Sequence, residues 1–276
     1  MKIFFKLFSA LLIALSMATG FYACNTPEEE VTTVDEVSPE ILAKLDALGF
    51  NTVDFPVVKH EDQLIIENDI SLNVHELDNI AQGIQQPVDE HYSTHNLVDG
   101  TPRTINVYVN SRFLQKYRDA TDEAIRRYNE VDGFSLTFKR VTNASQADIQ
   151  INPSPWWYYW QDILGSAGFP TTAGDPYNQI LMTREYYDGV TNINGLATTI
   201  AHEMGHCIGF RHTDYMDRDF SCNRGFDPER VDPEGANHIP GTPTEAEAGS
   251  WMLACGSANL DRPFTTSDIT ALSTLY

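Results

Sequence analysis

His202-Glu203-Met204-Gly205-His206-Cys207-Ile208-Gly209-Phe210-Arg211-His212 is the stretch from which the rest of the chain is read. On a helix, His202 and His206 lie four residues apart on one face, so their imidazoles can converge on a single metal ion. Glu203, one residue along, can reach a water beside that metal. Gly209 predicts the helix end, because glycine tolerates the left-handed conformation that reverses the chain and lets His212 return as third ligand. Three neutral imidazoles with an open fourth position describe a catalytic zinc, which lowers the pKa of its water to about 7 and polarises a carbonyl. Glu203 then serves as general base on that water and later protonates the leaving amine. Ala197, Ile200, Ala201 and Met204 give this helix the apolar side it needs for burial.

Working upstream, Gln179 to Thr183 reads as a strand. Before it come a Gly/Pro-rich stretch, 165–176, and the aromatic run Trp156 to Trp160, which borders either a cleft or the core. Ala147 to Asn152 and Phe134 to Val141 alternate like strands. Phe113 to Val131 is an amphipathic helix stopped at Asp132-Gly133, and Ile105, Val107 and Val109 mark another strand. Downstream, Thr265 to Leu275 is a helix capped by Thr266 or Ser267, with Asp268 in its first turn. Strand, helix, several strands, helix, a long irregular region and a last helix make an α+β order.

The N-terminus reads as an address. Lys2 and Lys6 precede an apolar run, Leu7 to Thr19, too short for a confident membrane span, and Gly20-Phe21-Tyr22-Ala23-Cys24 follows as a processing site. A cysteine there resembles a bacterial lipoprotein box, so Cys24 becomes the lipidated first residue of an exported, membrane-anchored chain facing periplasm or cell surface. Simple secretion is the alternative. The chain has 276 residues, 42% of them apolar, which is enough for a sizeable core, and a formal charge of -21. Such acidity repels phosphate backbones, so nucleic acid is excluded as a partner. Residues 25–100 hold 17 acids against Lys44 and Lys59, and this imbalance ends near Gly100. The division is therefore a signal peptide at 1–23, a tether and acidic pro-like region at 24–100, and a zinc peptidase domain at 101–276. Within the acidic region, Pro39 to Leu48 is a short helix, Val57-Val58 and Leu64 to Ile66 form a hairpin, and Gln82 to Gly100 has the composition of a linker.

The run from His202 to His212 resembles the metzincin metallopeptidases. That resemblance implies a twisted mixed sheet with an active-site helix above, and an irregular lower part ending in a C-terminal helix. It also calls for a methionine turn beneath the metal, for which Ser250-Trp251-Met252 is the candidate, Met252 being favoured over Met216. More narrowly, the run continued through Thr213-Asp214, with His238-Ile239-Pro240-Gly241-Thr242-Pro243, resembles the dual-action HEIGH metallopeptidases, in which isoleucine is usual where this chain has Met204. Astacin-like members carry a tyrosine where this chain has Ala254. Oxyanion stabilisation is then left to zinc and one of Tyr215, Tyr186, Tyr187 or His238. Substrate is expected to lie extended along the edge strand of the sheet.

Cys207 and Cys222 flank His212, and a bridge between them would fix the following loop, although Cys207 with Cys255 is the other pairing open. Asp214, Asp217 and Asp219 read as part of a solvated acidic loop. Peptidases of the type resembled are commonly kept latent by a pro-segment ligand on zinc. Glu67, Asp69, His60 and His75 are the candidates here, each more readily read as a surface residue of an acidic segment. The expectation is a monomeric zinc endopeptidase acting on protein or peptide substrates. Its rival is a non-proteolytic surface lipoprotein that binds a host or envelope ligand and retains a vestigial metal site.

Overall fold

Short apolar runs bounded by turns give the first elements of the computed structural model, which describes residues 36–47, 50, 52, 56–77, 91–223, 225 and 236–276. The expected signal peptide, Cys24 and most of the tether lie outside the described residues. After α1 (Pro39–Ala47) come β1 (Val58–His60), β2 (Gln63–Ile66) and β3 (Ile70–Asn73), an antiparallel meander. β4 (Tyr92–Ser93) precedes β5 (Arg103–Val109), in which Ile105, Val107 and Val109 point into the core as their alternation predicts. The next helix, α2 (Gln115–Asn129), is shorter at both ends than the apolar pattern suggests and begins after an extended Leu114 that offers no side-chain cap. β6 (Leu136–Val141) and β7 (Ile149–Pro153) follow, then α3 (Trp157–Trp160), β8 (Gly165–Ala167), β9 (Gln179–Met182) and α4 (Arg184–Tyr187). The histidine helix is α5 (Asn194–Cys207); after it come α6 (Asp219–Cys222), β10 (Asn237–His238) and α7 (Thr266–Leu275).

Eight strands form one mixed sheet in the order β1-β2-β3-β8-β9-β7-β5-β6, and β4 pairs separately with β10. β6, β5, β7 and β9 run parallel, whereas β8 runs antiparallel to β9. β3 joins β8 in parallel through Ile70 and Ala167. The α+β class, mixed sheet, histidine helix and C-terminal helix are as expected. No helix among the described residues is long and apolar enough to cross a membrane.

α2 and α5 share the main core with the sheet, and Tyr128 fixes their contact: its hydroxyl donates to the Ala201 carbonyl at 2.7 Å and accepts from Trp251 Nε1 at 3.1 Å. The meander is buried on both faces. Leu64, Ile66, Ile70 and Leu72 pack with Leu45, Phe50, Leu77 and Phe169, while Val58 and Ile65 pack with Trp157, Tyr158, Ile163 and Leu181. Two of the five residues of the aromatic run are thus core, leaving Trp156, Tyr159 and Trp160 exposed.

Composition alone makes 82–100 a linker, but its described part is built into the fold. His91, Tyr92, Ser93, Thr94 and Val98 are buried, Thr94 N donates to the Gly209 carbonyl, and Arg211 N donates to that of Tyr92. Contacts to the histidine segment therefore cross the charge boundary near residue 100.

The start of α5 lies so close to the loop before α7 that a Cβ at Gly195 would stand 2.3 Å from the Ala258 carbonyl oxygen. Gly195→Ala should lower stability by about 1–3 kcal/mol through overpacking. Gly189→Ala, with open space around it, should stay within about 0.5 kcal/mol of wild type in a denaturant titration.

Candidate metal centre

α5 ends where its glycine predicts. Gly209 has φ +102, Phe210 N donates to the Gly205 carbonyl, and Gly209 N donates to that of His206, the paired bonds of a left-handed helix stop. The reversal returns His212 toward the two helical histidines, and the three ring centroids lie 4.7, 4.9 and 5.3 Å apart. All three rings are buried. His202 Nδ1 lies 2.8 Å from the Trp251 carbonyl and His206 Nδ1 2.8 Å from that of Phe210. A carbonyl can only accept, so both Nδ1 atoms carry a proton, and in a neutral imidazole Nε2 is then a bare lone pair. Those two Nε2 atoms stand 3.1 Å apart. With no proton to share they repel, and a cation between them removes the conflict.

The floor of this arrangement is the turn Ser250-Trp251-Met252. Gly205 is required here, because a Cβ on it would sit 2.5 Å from Met252 Sδ. The Asp268 carboxylate fixes the turn: it accepts from Ser250 Oγ at 2.7 Å, Trp251 N at 3.3 Å and Thr265 N at 2.8 Å, and His91 Nε2 lies 3.0 Å away. The cap of α7 is Thr265, one residue before the expected Thr266 or Ser267, in a reciprocal box with Asp268. Sequence reasoning saw Asp268 only as a first-turn acid, and missed His91.

Opposite the imidazoles stands the tip of the β2–β3 hairpin. Glu67 and Asn68, both non-glycine, adopt φ of 55 and 69, and Asp69 N closes the turn onto the Ile66 carbonyl. Such a turn is costly for a glutamate, and it directs Asp69 inward. Asp69 Oδ2 is 2.6 Å from His212 Nε2, 3.6 Å from His202 Nε2 and 3.8 Å from His206 Nε2. Among the described residues, Asp69, His202, His206 and His212 can each offer one ligand atom with all four within 4.8 Å of one another. His60 instead stacks on Trp157, and His75 pairs with Asp62 at the surface.

Burial pushes the Asp69 carboxyl up, but the charge of His212 and the imidazole nitrogens facing it hold it well below the usual carboxylate range. Burial, aided by the neighbouring imidazoles, lowers His206 to about 4 against the pull of Asp69, so it is neutral at ordinary pH. Glu203 is raised well above its usual value by burial and then by the Asp69 charge. Its Oε2 is buried and has no hydrogen-bond partner among the described residues, and its Oε1 would lie 2.9 Å from a Cβ on Gly165. Strand β8 therefore needs glycine where it passes the carboxylate.

The disulfide differs from expectation. Cys222 pairs with Cys255, their Cα atoms 5.1 Å apart, and Cys207 is a fully buried thiol. Cys207 closes α5 within the apolar core, whereas Cys222 ends α6 and Cys255 lies in the loop after Met252, both beside the metal centre. Asp214 is also not solvated: it is fully buried, accepting from Ala254 N and Ser221 Oγ. Of the four oxyanion candidates only Tyr186 lines the adjoining cavity, and its hydroxyl is bonded to Asp162 and the Tyr159 carbonyl.

Convergent imidazoles beside a buried carboxylate with a bare oxygen make a candidate metal-dependent hydrolytic centre. Residues 64–276 match the dual-action HEIGH metallo-peptidases, and the chain belongs to that family. It is a metallopeptidase. Two similar solved structures are myroilysin, at 13% identity and TM-score 0.41 over 71% of this chain and 92% of that one, and the hatching-enzyme zinc protease HCE-1 of the medaka Oryzias latipes. The latter is 17% identical with TM-score 0.38, over 62% of this chain and 88% of that one. No curated protein sequence matches the chain.

Asp268→Ala, which strips buried donors of their acceptor, should cost about 2–4 kcal/mol and lower the melting temperature, while Asp132→Ala at the exposed end of the turn after α2 should cost far less.

Proposed function

We propose that the chain is a zinc endopeptidase of the metzincin type, exported and lipid-anchored at Cys24, whose hairpin tip keeps it latent. The facing Nε2 atoms of His202 and His206, whose Nδ1 atoms donate to carbonyls, carry this reading. His202, His206 and His212 would hold the ion, and three nitrogen donors suit zinc. When bound, the metal polarises the peptide carbonyl and acidifies water beside it. Glu203 takes a proton from the attacking water and returns it to the amine nitrogen as the C–N bond breaks. Its burial suits this work, since no other described group competes for Oε2. Met252 supports the ligands from below through its contact at Gly205.

Latency is supported by two placements. Asp69 stands where a fourth ligand would, and β3 covers the β8 edge along which an extended substrate would pair. The acidic region 24–100 would thus act as a pro-region as far as residue 90. Removal should stop before His91, because His91 to Val98 are packed with Asp268, Gly209 and Arg211.

Glu203→Ala should retain bound zinc by elemental analysis and lose at least about 10²-fold in peptide cleavage. Asp69→Ala in the full-length chain should raise cleavage above wild type. Zinc-loaded protein that cleaves nothing even after proteolytic removal of the segment before His91 would favour a ligand-binding lipoprotein instead. Cys24→Ala should move the protein from the membrane to the soluble fraction.

A further inference from the structure

Beside the metal centre lies a cavity of about 360 Å³. Its walls include His202, Glu203, Trp251 and Leu253, so any side chain that fills it belongs to a residue flanking the scissile bond. The hairpin closes one side of it. Glu67 enters with its carboxylate fully buried, and Glu67 Oε2 lies 3.6 Å from Nη1 of Arg218, whose side chain is 1% exposed. Arg218 leads into α6, which the Cys222–Cys255 disulfide ties to the loop after Met252, so the guanidinium is held firmly at the cavity wall.

A buried guanidinium cannot discharge by losing its proton, and removing a buried acid from beside it is costly. Arg262, lowered by burial and lining the same cavity, adds a second cation. Asp162, already bonded to Tyr186, is the other acid along the wall besides Glu203 and the hairpin's own Glu67 and Asp69. Once the hairpin departs, the cavity loses two of its four acids and keeps both guanidiniums.

We infer that Arg218 determines specificity: it selects peptides carrying Asp or Glu at a residue flanking the scissile bond, and Glu67 is the resident stand-in for that side chain. The inference rests on the latent-peptidase reading and deepens it.

The test uses zinc-loaded full-length protein carrying Glu67→Ala and Asp69→Ala, alone and after limited proteolysis before His91. Its probes are matched peptides with Glu, Gln or Lys at either residue flanking one cleavage site. Glu should exceed Gln by about tenfold or more in kcat/KM at one of the two positions, as charge-assisted pairing requires, and Lys should be poorest. Binding of the Glu and Gln peptides to the same protein bearing Glu203→Gln, followed by calorimetry, should show the same order. Arg218→Lys should keep the preference and Arg218→Gln should abolish it. Should the Gln variant fail to fold, the wild-type Arg218 comparison decides alone. Cleavage with Glu and Gln peptides equal at both positions overturns the inference and leaves the peptidase intact. Absence of cleavage in every form overturns the peptidase reading, and the inference with it.

Discussion

Two lone pairs aimed at each other from 3.1 Å set the demands on everything around them. Neither His202 nor His206 can relieve the repulsion by changing tautomer without giving up a bond to a buried carbonyl. One of those carbonyls belongs to the helix-ending reversal and the other to the methionine turn, so both must be rigid. The reversal is held by its own backbone bonds at Gly209, and the turn by Asp268. From Asp268 the support continues to Thr265 at the start of α7 and to His91 in the segment before the first long strand. Parts of the chain remote in sequence thus serve to keep two imidazoles in an arrangement that only a cation rewards.

The local half of this design was legible. A four-residue histidine spacing, a following glutamate and a glycine where the helix must stop are short-range signals, and each had one physical meaning. Alternation located the strands around Ile105 and Ile149 for the same reason. The cap of α7 was misplaced by one residue because Thr265, Thr266 and Ser267 are equivalent as side chains, and only the reciprocal bond with Asp268 separates them.

The long-range half was not legible. Asp214 reads as one of several loop acids, and only the folded neighbourhood shows Ala254 N and Ser221 Oγ converging on it. The cysteine pairing depended on which thiol the core would keep. Cys207 closes a helix whose residues from Gly195 onward are almost all buried, which removes it from reach of the other two. Residues 91–98 look like linker because their burial is achieved by pairing with β10 and the 209–211 reversal, partners more than a hundred residues away. Asp69 was one of four candidates of equal standing, and the strained turn that aims it at the histidines leaves no compositional trace.

The edge strand also bears on how such a protein survives before it works. β8 is three residues long and lies open on one side unless something pairs with it. A bare edge with glycine and small side chains accepts any extended chain, including another copy of the same molecule. While β3 occupies it, the strand along which substrate is proposed to pair is closed to self-association. The hairpin that would withhold catalysis is thereby also a guard on solubility, and the two kinds of protection would end together when the chain before His91 is cut.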